Sequence, residues 1–185
     1  TAIRRQRQMC IRDRNQSNTQ MLDGASSYQH KDPTYPNGCH ICEVEVDKDT
    51  GNIDIVDYYA TDDFGKIINP LLVAGQVHGG IVQGLGQAMC EHAIYDDETG
   101  QLLNGSYMDY QMPRADDFPH FNIDFNEEAE CTTNLLGAKG CGEAGTVAST
   151  TAYVNAIINA LSDFDTQKLN MPITAQKVWE IINNA

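Results

Sequence analysis

Apolar and polar residues alternate strictly where Cys42, Val44 and Val46 are separated by Glu43, Glu45 and Asp47. A period of two marks a half-buried strand. Asp47-Lys48-Asp49-Thr50-Gly51-Asn52 supplies a turn, and Ile53-Asp54-Ile55 opens a returning strand that runs on through Val56 to Ala60, so a hairpin is expected. Asp62-Asp63-Phe64-Gly65 and Asn69-Pro70 then read as loop. The period changes over residues 75–92, where Val77, Ile81, Leu85 and Met89 recur every four positions and predict a helix with a core-facing stripe. Gln76, Gly80, Gln83 and Gln87 fall together on another face. Ala93-Ile94-Tyr95 and Gln101-Leu102-Leu103 flank turn residues 96–100 and predict a second hairpin. Phe121, Ile123 and Phe125 alternate as a further strand. Val147, Val154, Ile157, Ile158 and Leu161 predict a helix capped by Thr146, and Thr174 caps a last short helix buried through Val178 and Ile182. The expected class is α+β, with mixed sheets and hairpins packed against helices.

Composition narrows what such a fold can do. The 185 residues are 41% hydrophobic and 21% charged, which suits a globular domain or part of a larger one. No apolar run approaches the roughly 20 residues of a membrane helix, and the N-terminal arginines have no apolar stretch behind them to make a signal peptide. A formal charge of -14 argues against nucleic acid or an anionic membrane as partner. Residues 1–14 are a special case: Met9-Cys10-Ile11-Arg12-Asp13 looks like a translated sequencing-library transposon end, so this tail is set apart from the fold, which is placed in residues 15–185. Taking its five arginines and one aspartate out of the 12 basic and 26 acidic residues leaves a formal charge of -18. A foreign N-terminus also implies a natural chain that starts further upstream. Cys10, Cys39, Cys42, Cys90, Cys131 and Cys141 form no disulfide-like framework, which favours a reducing cytoplasm. Cys39 and Cys42 make one C-x-x-C without a second pair, and a strand would point them to opposite faces. No metal ligands are assigned. The acidic turn 47–52 lacks the ligand spacing of a calcium loop.

Two stretches stand out chemically. Gly137-Ala138-Lys139-Gly140-Cys141-Gly142-Glu143-Ala144-Gly145-Thr146 places four glycines around one carboxylate, directly before a helix. Such glycine density lets backbone approach a ligand closely, and a helix N-terminus beyond it would suit an anionic one. An ordinary glycine-rich connection carrying a surface glutamate accounts for the same spacing. In the helix over residues 75–92, Gly79, Gly80, Gly84 and Gly86 would each cost about 1 kcal/mol relative to alanine. Close approach of another backbone or of a flat ligand explains that cost; tight helix packing explains most of the glycines and the glutamines less well.

In their order along the chain, Gly75-Gln76-Val77-His78-Gly79-Gly80-Ile81-Val82-Gln83-Gly84-Leu85-Gly86 and the stretch 137–146 resemble the molybdopterin-binding large subunit of the xanthine dehydrogenase and aldehyde oxidase family, in particular large chains of the aerobic carbon monoxide dehydrogenase type. Asn37-Gly38-Cys39-His40, Ile68-Asn69-Pro70, Met108-Asp109-Tyr110 and Met171-Pro172-Ile173-Thr174 support the resemblance. It covers nearly all of residues 15–185 and implies the C-terminal portion of the second molybdopterin-binding domain of a longer subunit. It further implies that Glu143 is the general base of an oxidative hydroxylation at molybdenum, that Gln76 contacts the pterin, and that Lys139, Gly140 and Gly142 line the cofactor. The cofactor would be molybdopterin in a dinucleotide form. Partners implied are the missing N-terminal part of the subunit, an iron–sulfur small subunit, an FAD-binding medium subunit and a small-molecule substrate. Cys141 stands where many relatives carry a small apolar residue, and the loop that separates carbon monoxide oxidation from hydroxylation of aldehydes or purines is absent. The polypeptide alone is expected to be inactive. A non-catalytic pterin- or nucleotide-binding module is the alternative reading, and Glu143 would be dispensable there.

Overall fold

Residues 26–27, 29, 32–129 and 131–183 are described by a computed structural model; the tail of residues 1–14 lies outside the described residues. Every strand and helix among the described residues belongs to the unit Asp32–Ala185. Strand β1 (Asn37–Val46) and strand β2 (Ile53–Asp63) form the expected antiparallel hairpin, and β3 (Phe121–Phe125) joins the other edge of β2 in parallel. The connecting turn is held by Asp47, whose carboxylate accepts from the Asp49 N–H at 2.9 Å and the Thr50 hydroxyl at 2.7 Å.

One irregularity in β2 decides the later chemistry. Ile55 lies opposite Val44 and Asp57 opposite Glu43, so Val56 is an extra residue without a partner. A bulge of this kind reverses the alternation of the strand that carries it. Ile53 and Ile55 face the core before the bulge, whereas Tyr58, Ala60 and Asp62 do so after it. The strand also runs to Asp63, beyond the expected end at Ala60.

Helix α1 (Pro70–Met89) starts well before residue 75, because Asn69-Pro70 is its start signal rather than a loop marker. The Asn69 Oδ1 accepts from the Leu72 N–H at 3.2 Å, and proline at the first helical position gives up an N–H that has no partner there anyway. Val77, Ile81 and Leu85 are fully buried, as their spacing predicts. Helix α2 (Ala144–Ala160) also starts early, with Glu143 rather than Thr146 at the cap position. The Thr146 hydroxyl instead crosses to α1 and donates to the Gly80 carbonyl at 3.0 Å, and Thr150 donates to the Gly84 carbonyl at 3.1 Å. This register turns Gly145, Ser149, Tyr153 and Ile157 inward and leaves Val147 70% exposed. Helix α3 (Ala175–Asn183) is capped by Thr174, whose Oγ1 accepts from the Lys177 N–H at 3.4 Å, and buries Val178.

Residues 93–103 do not form a second pair of strands. A single bridge, Tyr95 to Leu102, closes the turn; both side chains stay exposed, so no sheet face is there to be buried. The core combines Tyr58 and Phe121 of the sheet with Val77, Ile81 and Leu85 of α1 and Tyr153, Ile157 and Leu161 of α2. The class is α+β, as the periodicities indicate. No helix among the described residues is long and apolar enough to cross a membrane.

The α1–α2 contact is a contact between backbones. A Cβ on Gly145 would lie 2.5 Å from the Val77 oxygen and 2.8 Å from the Ile81 nitrogen. Gly145→Ala should therefore lower stability by about 2 kcal/mol, read as a shift in urea midpoint. Gly79, with nothing within 4 Å of its Cβ position, should tolerate alanine and gain up to about 1 kcal/mol. Equal midpoints for the two variants would contradict the packing described.

Candidate functional site

The glycine-rich turn is stitched to the end of β2. Segment 137–139 runs antiparallel to segment 64–66: Lys139 N–H donates to the Phe64 carbonyl and Lys66 N–H to the Gly137 carbonyl, each at 2.8 Å. Gly65 and Gly137 adopt φ of 61° and 68°, the left-handed region that glycine enters without strain. Asn134 closes the turn, donating from Nδ2 to the Ala138 carbonyl at 2.8 Å and accepting at Oδ1 from the Leu136 N–H at 3.1 Å.

An ion pair locks this arrangement. The Lys139 ammonium meets the Asp63 carboxylate, and each side chain is only 10% exposed. Burial works to raise the Asp63 pKa; the Lys139 hydrogen bond, the Gly65 N–H at 2.7 Å and the lysine charge outweigh it and hold the carboxyl below its ordinary range. Lys139 is thus turned towards β2, and it is not among the residues lining the neighbouring cavity.

That cavity, of about 660 Å³, lies between the start of β1, the end of β2 and the first turn of α2. Gly140, Gly142 and Glu143 line it, together with Asn37, Gly38 and Asp62. Glu143 is exposed, its side chain makes no cap hydrogen bond, and among the described residues its backbone carbonyl accepts from the Val147 N–H at 3.0 Å. Gly140 and Gly142 have no positive φ and nothing within 4 Å of a Cβ position among the described residues, so neither turn geometry nor packing within them requires glycine at either place. The same holds for Gly75 and Gly79, which flank Gln76 on the exposed side of α1. These bare backbones fit a group that seats directly on them. Gln76 itself does not line the cavity. Among the described lining residues there are two carboxylates and no basic side chain, so the cavity suits the ring portion of a ligand rather than a phosphate.

Sequence reasoning did not single out Asp62. Its carboxylate is 3% exposed and lies beside His40 Nε2 at 3.2 Å, while His40 Nδ1 lies 2.8 Å from the Tyr58 hydroxyl. The cause is register: His40 pairs with Ala60, so Tyr58 and Asp62 flank it on one face. A motif search cannot see a non-local pairing of this kind.

Cys39 is exposed and Cys42 faces the core, so the C-x-x-C pair points to opposite faces. Burial pushes the Cys42 thiol up to about 12, which keeps it protonated and unreactive. No group of three potential metal ligands occurs among the described residues.

Residues 6–119 match the molybdopterin cofactor-binding domain family, a span whose first residues fall within the foreign-looking N-terminal tail. The large subunit of nicotine 6-hydroxylase from Paenarthrobacter nicotinovorans is 38% identical over 157 residues, 85% of this chain and 19% of that protein. The carbon monoxide dehydrogenase large chain of Hydrogenophaga pseudoflava is 34% identical over 159 residues, covering 86% and 20%. A solved structure of reconstituted carbon monoxide dehydrogenase from Oligotropha carboxidovorans superposes with a TM-score of 0.76 at 33% identity, over 81% of this chain and 18% of that one. The chain spans about a fifth of the length of the relatives it matches. It belongs to the molybdopterin cofactor-binding domain family, as the order of its motifs implies.

The Asp63–Lys139 pair generates a pH prediction. A carboxyl whose folded pKa is depressed contributes stability above its unfolded pKa, near 3.9, and loses it as pH falls through the folded value. Wild type should therefore shed stability below about pH 4 by an amount that Asp63→Asn no longer shows. Lys139→Met should cost about 3 kcal/mol at neutral pH by leaving the carboxylate unpaired. Superimposable acid titrations of stability for wild type and Asp63→Asn would contradict the assignment.

Proposed function

We propose, from membership of the molybdopterin cofactor-binding family, that this chain is part of the large subunit of a molybdenum hydroxylase. In this reading it holds a molybdopterin dinucleotide and supplies Glu143 as general base. The observation that carries the reading is the set of glycines with no structural reason of their own: Gly75, Gly79, Gly140 and Gly142 are open to 4 Å. They flank the glutamine and the glutamate that the two motifs single out. Gly142 leaves backbone free for the pterin cofactor to approach, the Gly140 N–H is held by the Thr34 hydroxyl at 3.4 Å, and the Gln76 amide can both donate to and accept from a pterin edge. Lys139 contributes indirectly, by fixing the turn that presents Gly140 and Gly142.

When bound, the cofactor supplies the two-electron oxidation of the substrate carbon. The role of the protein is to place a base and keep it available. A carboxylate with no local hydrogen bond, presented by a turn tied to β2, can take a proton at its Oε atoms without first breaking an interaction. The substrate is a small molecule such as an aldehyde, an N-heterocycle or carbon monoxide. Electrons would leave through an iron–sulfur small subunit and an FAD-binding medium subunit, in a cytoplasmic complex completed by the rest of the large subunit.

Two variants test this in the complete enzyme. Glu143→Gln should retain molybdenum and lose turnover by about 10²–10⁴-fold, the range for removal of a general base; undiminished turnover would remove Glu143 from the mechanism. Gly142→Val should fold within about 0.5 kcal/mol of wild type, as open surface positions do, yet carry several-fold less molybdopterin. Full cofactor content in that variant would show that the open glycine is not a seat for the pterin.

A further inference from the structure

The chain Tyr58–His40–Asp62 ends on a carboxylate, which can only accept. Tyr58 is fully buried, and its hydroxyl finds its partner in His40 Nδ1 at 2.8 Å. Burial, with the nearby Cys42 and Asp62, pushes the Tyr58 pKa up, so the phenol keeps its proton. His40 Nε2 lies 3.2 and 3.3 Å from the Asp62 oxygens, and a carboxylate can only accept, so Nε2 is the donor there. Every donor in the chain is used. The carboxylate at its end receives one N–H, although a carboxylate can accept about four hydrogen bonds.

The chain ends internally at Tyr58, so it offers no route for a proton to solvent. What it does is orient. Asp62 is set by the bulge at Val56 and by Gly38 opposite, where a Cβ would collide with the Asp62 carboxylate and lie 2.9 Å from the Thr61 carbonyl. Both Asp62 oxygens share the single His40 Nε2 donor, and the residue borders the cavity, so acceptor capacity remains for an N–H donor placed there. Pro36 and Val147 give the same cavity apolar walls.

We propose that Asp62 is a ligand-recognition residue of this cavity, accepting a hydrogen bond from an N–H group of a flat, uncharged heterocycle, with His40 and Tyr58 as its positioning residues. Apolar walls with carboxylate acceptors favour such a ring over a phosphate, which the charge of Asp62 and Glu143 repels. The inference rests on the cofactor-binding function proposed for this chain. It leaves two sources for the heterocycle: the ring system of the cofactor, or a heterocyclic substrate.

Free pterin, which carries ring and amino N–H donors, is the probe. Its fluorescence quenching is followed on titration into the complete enzyme, with and without bound cofactor, for wild type and Asp62→Asn. If the cofactor supplies the ring, pterin binds only cofactor-free wild type, Asp62→Asn binds it about tenfold more weakly, and the variant enzyme as isolated carries several-fold less molybdopterin. If a substrate supplies it, wild type binds pterin with or without cofactor, Asp62→Asn weakens both, and cofactor content is unchanged. His40→Leu should reproduce Asp62→Asn, and His40→Gln, whose amide can replace the Nε2 donor, should restore binding; a merely structural histidine would give no such rescue. Should His40→Leu not fold, Tyr58→Phe, which deletes only the hydroxyl, carries the same expectation at a smaller size. Absence of pterin binding by wild type, or Asp62→Asn equal to wild type in both pterin binding and cofactor content, overturns the proposal. Neither result touches the role of Glu143, which is read from turnover in Glu143→Gln.

Discussion

The buried pair of Asp63 and Lys139 is the contact on which the functional end of this molecule depends. It ties a glycine-rich turn, nearly eighty residues away in sequence, to the last residue of β2. The backbone pairing of segments 64–66 and 137–139 lies beside it, and both left-handed glycines sit within that pairing. Because Asp62 and Asp63 are consecutive in an extended strand, their side chains leave on opposite sides. One holds the turn, and the other enters the cavity that the turn helps to enclose. A single strand end therefore sets both where Glu143 stands and what faces it.

The glycines divide by the physical demand on each. Gly145 and Gly84 bring two helix backbones together, with threonine hydroxyls crossing between them. Gly65 and Gly137 serve a conformation that a side chain would strain. Gly75, Gly79, Gly140 and Gly142 answer to neither demand, and two of them are helical positions where alanine would be preferred by about 1 kcal/mol. Glycine at such positions leaves room for something beyond the described residues to come close, and membership of a molybdopterin-binding family makes the cofactor the candidate proposed above.

The local patterns were legible wherever one period ran without interruption. The stripe of Val77, Ile81 and Leu85, the alternation of β1 and the cap at Thr174 all appear as their spacing implies. What escaped depended on pairings between distant residues. Nothing in the residues around Val56 announces a bulge, and without it a period of two from Ile55 would turn Asp62 to solvent. Val147 looks like a core residue until α2 is seen to begin at Ala144, which gives the inward face to Gly145 and Ser149. Asn69-Pro70 reads as loop from its residues alone, and the Leu72 hydrogen bond shows it to be the start of α1. Of the candidate site, Glu143, Gly140 and Gly142 were accessible from motif order and share one cavity, whereas Gln76 lies outside it and Lys139 is engaged with Asp63.

The central claim is that the glycines left open by the fold are seats for the cofactor. An experimental structure of the complete subunit with molybdopterin bound tests it most directly. The account predicts cofactor atoms in van der Waals contact with the backbone of Gly140 and Gly142, with the Glu143 carboxylate on the same side. Finding those positions covered by other segments of the subunit, with the cofactor seated elsewhere, would contradict it.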